Sequence, residues 1–473
     1  MRLPPAAALE PRLARLVPWM AFVTLLLWCP LVLPADHSWD DADPEILNHA
    51  FRLAQGKPLY PPIDGPPWVV NPYPPLYFAL VAAGLKITGL SYTPARLVSV
   101  TATGALAAAF VVLSRRWRGR ARDGVWAVCL LVLVPAFLYN LARPHPQMLA
   151  VALSIWSFAL FESPRPAVAN LLSPLLAVLA VYAKQTQIVL PLALLLWLGW
   201  RDRSRIPLYA GAVALFGLVA AAWLEVATRG AFLDCIFGMN LLPYRTWEIA
   251  PVMIHWAGPF FAFFWLAAVR LRSRLRENAL EPIDLYCVVV ALTTIPSLGR
   301  VGAHGQYVVE MLVVTALFLL RTGGFRFPAE RSALGAAQLA ALLLYAPAFV
   351  LLEQGPFARA SIEAAPSIRA LVQTEPGPVI SQQGSFSLFT RGEIYVQLFH
   401  FTSLSRAGRW DQTPLVRAVE ERKPAWVVTE SALEQRVESD DDWERFTPEL
   451  RDALARNYVR RAQIGPYNVY GPR

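Results

Sequence analysis

The chain has 473 residues, of which 56% are hydrophobic and 16% are charged, and its mean hydropathy is +0.40. Soluble proteins carry about 25% charged residues, so the composition excludes a soluble enzyme and indicates a polytopic membrane protein. The net charge of +9 comes largely from arginines clustered in short loops between apolar runs, which indicates membrane orientation and no nucleic-acid partner. The four cysteines show no Cys-x-x-Cys spacing, so we expect no cysteine-bound metal or redox centre. We expect no cofactor, and a divalent metal stays an open alternative that the sequence does not indicate.

The first apolar run, residues 16–34, follows Arg2, Arg12 and Arg15. Its length favours an uncleaved signal anchor over a cleaved signal peptide, and both alternatives place residue 35 onward outside the cytoplasm. Further apolar runs are 73–90, 97–114, 125–142, 148–161, 167–183, 188–200, 206–226, 252–269, 285–298, 307–320 and 333–352.

One of these runs is predicted not to cross the membrane. If all of them crossed, the arginine-rich loop 115–122 would face outward, against the rule that cytoplasmic loops carry the excess of Lys and Arg. Run 73–90 contains Pro74, Pro75 and Lys86 and is typical of an interfacial or re-entrant helix. Excluding it gives about eleven transmembrane helices.

The tail, residues 353–473, is the water-soluble part of the chain. Short β-prone segments at 378–381 and 425–429, a helical stretch at 448–461 and a closing strand at 466–470 predict a small α/β domain. The predicted fold class is therefore an all-α polytopic membrane protein, with juxtamembrane helices in a first exported loop at 35–95. Residues 1–352 form the membrane domain, and residues 353–473 form a small extracytoplasmic C-terminal α/β domain.

Carboxylates and cations converge on the exported face in this topology. The first exported loop carries Asp36, Asp40, Asp41, Asp43 and Glu45. Asp43 and Glu45 flank Pro44 and are explained as the start of a helix. Asp40 and Asp41 precede this start and are less easily explained by it, and a carboxylate there could accept a proton from a hydroxyl nucleophile. Other exported loops contribute cations that could bind a phosphate, namely Arg143, His145, Lys184, Arg300 and His304.

Each of these residues also has a structural interpretation. Arg143 and His145 are equally typical of a helix end at the lipid headgroups, and Lys184 could extend to the interface. Glu310 lies in an apolar run one turn beyond Tyr307, and we expect Arg300 or His304 to be its partner. Tyr244 and Trp247 could stack on a sugar, although an aromatic belt is the favoured interpretation. The spacing Gly299, Gly302, Gly305 predicts a tight loop between helices.

Several segments together resemble one family. Residues 39–45, 50–60 and 74–77 resemble the first exported loop of GT-C class membrane glycosyltransferases, close to bacterial protein mannosyltransferases and aminoarabinose transferases. Residues 142–145 resemble a second site that reads Arg-Pro-Asp in many relatives, and residues 182–186 resemble a recurring lysine segment. Residues 302–310 and the tail residues 408–411 and 457–458 also resemble segments of such proteins.

The resemblance implies a multi-pass glycosyltransferase of the inner (plasma) membrane. It would transfer a hexose or pentose from a polyprenyl-phosphate donor to a lipid, glycan or protein acceptor on the extracytoplasmic face, with inversion. A first-loop aspartate would be the base, Asp40 by motif position with Asp41 as the alternative, and Glu310 and Tyr307 would support the phosphate site. His145 stands where relatives carry aspartate and could contact phosphate instead.

Two other functions are alternatives. A transporter or flippase of lipid-linked or anionic substrates would also place charges in a membrane, but its site would lie near the midplane between paired halves. A non-catalytic scaffold would leave Asp40, Asp41 and Lys184 without a role. The glycosyltransferase is therefore the favoured prediction.

Overall fold

The structure is a computed structural model that describes residues 6–33, 36–38, 40–240, 242–434 and 445–473. Residue 35, where the predicted exported loop begins, and Trp39 of the acidic motif lie outside this part of the chain. The chain divides into two compact units. Unit 1 comprises Met1–Pro30, Leu97–Trp223 and Tyr244–Glu353, and unit 2 comprises Leu31–Arg96, Leu224–Pro243 and Gln354–Arg473. The predicted division at residues 352 and 353 stays a prediction.

The chain is mostly helical. Its first α-helices are α1 (Ala6–Val32), α2 (Ala42–Ala54), α3 (Leu76–Thr88), α4 (Thr93–Arg118), α5 (Ala121–Val132), α6 (Pro135–Asn140), α7 (Gln147–Phe161), α8 (Ser173–Ala183), α9 (Val189–Arg201) and α10 (Ile206–Ala227). The following ones are α11 (Ala231–Leu233), α12 (Ile249–Ala257), α13 (Phe261–Arg276), α14 (Pro282–Ser297), α15 (Gly305–Arg321), α16 (Ser332–Ala348), α17 (Gly355–Val372), α18 (Ser385–Arg391), α19 (Leu398–Arg406), α20 (Thr413–Glu420) and α21 (Pro448–Asn457).

Many of these helices are apolar enough for a bilayer. Within the described residues, five helical segments are long and apolar enough to cross a membrane, namely Leu9–Val32, Thr93–Arg118, Arg203–Ala227, Thr246–Arg276 and Ala329–Val372. Shorter apolar helices cover Leu76–Thr88, Gln147–Phe161, Val168–Ala183 and Pro282–Ser297. The helical membrane class is confirmed, and the count of eleven spans stays a prediction.

Helix α3 corresponds to the run that was predicted not to cross. It has 13 residues, so its length is about 20 Å at 1.5 Å per residue, shorter than the roughly 30 Å hydrocarbon core. It begins after Pro75 and ends at Gly89, which has a φ of +72°. Leu80 and Ile87 are exposed while Tyr77 is buried, so one face of the helix packs on the protein, and its interfacial position stays a prediction.

The tail forms a four-stranded sheet with the order β1-β2-β4-β3, from strands β1 (Val379–Ser381), β2 (Trp426–Thr429), β3 (Tyr458–Ile464) and β4 (Tyr467–Pro472). Strands β1 and β2 are parallel, and the other pairs are antiparallel. The predicted small α/β domain is confirmed. The predicted helix 448–461 is wrong at its end, because Tyr458 starts a strand that pairs with β4, and this pairing outweighs local helix propensity.

Helix α17 covers this sheet. Its residues Ala364, Ile368 and Val372 join a buried apolar cluster that includes Val428 of β2 and Tyr467 of β4. The tail therefore has its own hydrophobic core within unit 2.

The first exported loop and the tail are joined within unit 2. The backbone N–H of Trp68 donates to the Tyr395 carbonyl at 2.9 Å, and the Gln397 N–H donates to the Trp68 carbonyl at 3.0 Å. The Val70 N–H donates to Gln397 Oε1 at 2.7 Å, and the guanidinium of Arg52 pairs with Glu393. The loop that carries the acidic motif is thus packed on the C-terminal residues.

Candidate functional site

The predicted phosphate-binding residues lie in loops of unit 1. Arg143 and His145 lie between α6 and α7, Lys184 directly follows α8, and Arg300 and His304 lie between α14 and α15. Arg143, His145 and Lys184 are buried, Arg300 is half-buried, and His304 is exposed at the N-terminus of α15.

Lys184 lies at the centre of a buried polar cluster. Its Nζ donates to Gln147 Oε1 at 2.5 Å and lies 4.9 Å from the centroid of the Tyr307 ring. Burial lowers the pKa of Lys184 to about 7, and the charges of Arg143 and Arg300 act in the same direction, whereas Glu310 opposes them. An anion bound here would favour the charged ammonium.

Arg143 and His145 line the same cluster. The Arg143 guanidinium lies 5.0 Å from the Tyr139 ring centroid, and its carbonyl accepts a hydrogen bond from Ser99 Oγ at 2.5 Å. His145 Nδ1 accepts the Gln147 N–H at 3.2 Å, which leaves Nε2 as the protonated nitrogen. Burial, followed by the charges of Lys184 and Arg143, holds the pKa of His145 well below its usual value. His145 is therefore a neutral N–H donor in this cluster.

Glu310 has partners other than those predicted for it. Its carboxylate accepts hydrogen bonds from Gln187 Nε2 at 2.9 Å and from the Tyr286 hydroxyl at 2.7 Å. The prediction of Arg300 or His304 as the partner is replaced by these two contacts. Gln187 lies in the same segment as Lys184 and was visible in the sequence, but nothing in the pattern connected it or Tyr286 to Glu310.

Tyr244 holds the turn that carries Arg300. The backbones of the two residues form an antiparallel bridge, and the Tyr244 hydroxyl donates to the Pro296 carbonyl at 2.8 Å. The Arg300 side chain hydrogen-bonds to Tyr307. Tyr244 is 54% exposed and Trp247 is 70% exposed, so both rings are accessible, and a sugar contact by either one stays a proposal.

The three spaced glycines form the predicted loop between helices. A Cβ on Gly299 would lie 2.7 Å from Cζ of Tyr244, and one on Gly305 would lie 2.6 Å from Cε3 of Trp256. Gly302 has a φ of +79°, a conformation that favours glycine. Gly299 and Gly305 therefore allow close packing of aromatic rings, and Gly302 allows the tight turn.

Gly305→Ala should destabilise the protein by about 1–3 kcal/mol, because the buried Trp256 ring has to move to admit the methyl group. Gly104→Ala in α4 is the matched control, since nothing lies within 4 Å of its Cβ position, and alanine favours a helix. Thermal unfolding of both purified variants measures the difference. Equal melting temperatures for Gly305→Ala and wild type would contradict the packing argument.

The predicted base residues lie in unit 2. Asp40 Oδ1 accepts the Ala42 N–H at 3.0 Å, and the Asp40 N–H donates to Ser38 Oγ at 3.3 Å. Asp41 pairs with the Arg445 guanidinium. Asp43, which was assigned to the helix start, lies in the first turn of α2 and accepts a hydrogen bond from Ser38 Oγ at 2.7 Å.

The structure thus brings Lys184, Arg143, His145, Arg300, Tyr307 and Glu310 into one set of contacts and electrostatic interactions within unit 1. His304 is in the adjoining loop, where its carbonyl accepts the Tyr307 N–H at 3.0 Å. Asp40 and Asp41 are held by C-terminal residues and by their own loop in unit 2.

Part of the sequence matches a known protein family, and nearly the whole structure matches solved structures. The family model of dolichyl-phosphate-mannose-protein mannosyltransferases matches residues 72–224. No curated protein sequence matches the chain.

Solved structures match over nearly the whole chain. The structure of ArnT from Cupriavidus metallidurans bound to undecaprenyl phosphate has a TM-score of 0.60 at 14% identity and covers 96% of this chain and 97% of its own. The apo state of ArnT gives a TM-score of 0.61. The archaeal oligosaccharyltransferase AglB from Archaeoglobus fulgidus, in complex with an inhibitory peptide and a dolichol phosphate, has a TM-score of 0.55 at 11% identity, with 98% and 74% coverage.

These matches confirm the fold that the sequence resemblance implied, and the apolar helices agree with a membrane location. The chain therefore has the fold of these membrane glycosyltransferases, and its residues 72–224 are similar to the mannosyltransferase family model.

Proposed function

We propose that the protein transfers a sugar from a polyprenyl-phosphate donor to an acceptor on the extracytoplasmic face of the inner membrane. The observation that carries this proposal is the buried cationic cluster around Lys184. Two guanidinium groups, Arg143 and Arg300, and one carboxylate, Glu310, act electrostatically on the Lys184 ammonium. The two guanidinium groups disfavour the charged ammonium, and a bound anion would offset this repulsion.

A lipid-linked phosphate is the anion that best suits this cluster. The Arg143 and Arg300 guanidinium groups can each donate two hydrogen bonds to phosphate oxygens. The Lys184 ammonium and the neutral His145 Nε2–H add further donors. As the bond between the anomeric carbon and the phosphate oxygen breaks, these groups would stabilise the charge that develops on the leaving phosphate.

The base of this proposed reaction is an aspartate of the acidic motif. It would accept the proton of the acceptor hydroxyl, whose oxygen then displaces the polyprenyl phosphate from the anomeric carbon with inversion. Asp40 is favoured as the base by its position in the motif, and Asp41, which pairs with Arg445, is the alternative. His145 would contact phosphate in place of the aspartate of related proteins.

The donor class is supported by the relatives in the fold comparison. ArnT was solved with undecaprenyl phosphate and AglB with a dolichol phosphate and a peptide. The extracytoplasmic location is supported by the arginine-rich loops, which the positive-inside rule assigns to the cytoplasm.

The proposal is tested with purified protein in lipid nanodiscs. Undecaprenyl-phosphate mannose, glucose and aminoarabinose are offered as donors, and an outer-membrane lipid extract and a serine-containing peptide as acceptors. We expect protein-dependent release of undecaprenyl phosphate from at least one donor. Folded protein that releases none, while still binding undecaprenyl phosphate, would favour the flippase alternative.

A further inference from the structure

His37 is a buried residue that sequence analysis did not single out. It lies three positions before Asp40 and is 2% exposed. Its Nε2 lies 2.9 Å from Ser361 Oγ, and its Nδ1 lies 2.7 Å from Ser385 Oγ. Ser361 belongs to α17 and Ser385 begins α18. One imidazole thus connects the first exported loop to two helices of the C-terminal region, all within unit 2.

The contacts of this ring continue into the C-terminal sheet. Ser361 Oγ lies 2.5 Å from the hydroxyl of Tyr467, the first residue of β4. Phe386 stacks on the imidazole with ring centroids 5.0 Å apart, and Tyr467 meets it edge-on at 6.4 Å. Hydrogen bonds and aromatic packing together fix both the position and the orientation of the ring.

The ring is neutral at physiological pH. Burial lowers the pKa of His37 to about 3, and the charges of Arg369 and Arg96 act in the same direction. A neutral imidazole has one donor and one acceptor, and a serine hydroxyl can be either, so both nitrogens are satisfied. The ring therefore contributes geometry to its surroundings and no charge.

Hydrogen bonds also hold the two residues that flank His37. On one side, Arg369 Nη2 donates to the Asp36 carbonyl at 2.5 Å. On the other side, Ser38 Oγ donates to Asp43 at 2.7 Å and accepts the Asp40 N–H at 3.3 Å. Residues 36 and 37 are thus bonded to the C-terminal region, and Ser38 is bonded to Asp40 and Asp43 of its own loop.

We propose that His37 is a positioning residue, which holds the loop that carries Asp40 in its reactive arrangement through Ser361 and Ser385. The C-terminal region would then contribute to catalysis, because it orients the acidic motif. This inference rests on the proposed function, and it adds a residue and a role that the resemblance does not contain.

Kinetics of the full-length protein in nanodiscs test the effect on the reaction. His37→Ala should lower kcat by about 10–100-fold, because a displacement of about 1 Å can cost that much, with KM for the donor within twofold of wild type. His37→Asn can keep the bond to Ser385 through its side-chain amide and should recover part of kcat. The matched control is His255→Ala, a half-exposed histidine of unit 1 that contacts Glu353, and it should match wild type.

Ser385→Ala is the second variant, since it removes one hydroxyl and leaves the ring in place. It should lower kcat by about threefold to tenfold, as expected for one lost hydrogen bond, and it keeps the proposal testable if His37→Ala does not fold. A wild-type kcat in both His37→Ala and Ser385→Ala would overturn the proposal.

Hydrogen exchange separates positioning from general unfolding. His37→Ala should increase amide exchange in residues 36–43 and leave residues 305–321 and 458–472 unchanged. Increased exchange throughout 458–472, or unchanged exchange in 36–43, would overturn the positioning role. If wild-type protein turns over no donor, the proposed function fails, and the exchange result still decides whether His37 holds this loop.

Discussion

Lys184→Met should lower kcat/KM for a polyprenyl-phosphate sugar about 10²–10³-fold, the loss expected when one donor to a developing oxyanion is removed. Methionine keeps the length and packing of the side chain and removes the ammonium that the Gln147 and Tyr307 contacts hold in place. The measurement is the initial rate of polyprenyl-phosphate release at several donor concentrations.

The control for this variant is Lys423→Met, which removes an exposed ammonium that pairs with Glu421 on the C-terminal domain. It should behave as wild type. Loss of activity in both variants, or in neither one, would contradict a specific role for Lys184.

The same residue predicts a pH dependence. Because the pKa of Lys184 is lowered to about 7, its ammonium is present below that pH and is lost above it. The value of kcat/KM for the donor, which reports the ionisation of the free enzyme, should therefore fall as the pH rises through about 7. Lys184→Arg should remove this decline, since a guanidinium stays charged. An identical decline in Lys184→Arg would assign the titration to another group.

Asp40→Asn should lower kcat about 10²–10⁴-fold, the usual contribution of a general base, with little change in donor KM. The amide keeps an oxygen that can accept the Ala42 N–H, so the loop should keep its conformation. Asp41→Asn should cost less than tenfold, because its main loss is the ion pair with Arg445.

Asp64→Asn is the control for both aspartate variants. Asp64 is an exposed carboxylate of the same exported loop, and its substitution should leave kcat unchanged. A larger loss in Asp41→Asn than in Asp40→Asn would make Asp41 the base. Wild-type rates in both variants and in the double variant would contradict general-base catalysis by this motif.

The fold class could be predicted from the sequence because it depends on local composition. Long apolar runs, short arginine-rich loops and the Pro74-Pro75 start of α3 are each visible within a few turns of the chain. The change from helix α21 to strand β3 at Tyr458 could not be predicted in this way. It depends on pairing with residues 467–472, which no local propensity shows.

The candidate site was predictable as a set of residue types and not as a set of contacts. The position of Lys184 between apolar runs identifies it in the sequence, but its hydrogen bond to Gln147 joins residues 37 positions apart. Glu310 needed a partner, and the contact with Gln187 spans 123 positions. No local sequence pattern indicates the role of His37, because its partners Ser361 and Ser385 lie 324 and 348 positions away in the chain.

The fate of the donor sugar tests the central claim most directly. Sealed proteoliposomes receive a polyprenyl-phosphate sugar with the label in the sugar, together with an acceptor that supports turnover. The account predicts that the label moves to the acceptor, with one polyprenyl phosphate released for each sugar transferred. Lys184→Met and Asp40→Asn should each slow this transfer by about 100-fold or more. Movement of the intact labelled lipid to the other leaflet, without cleavage of the sugar–phosphate bond, would contradict the account and identify a flippase.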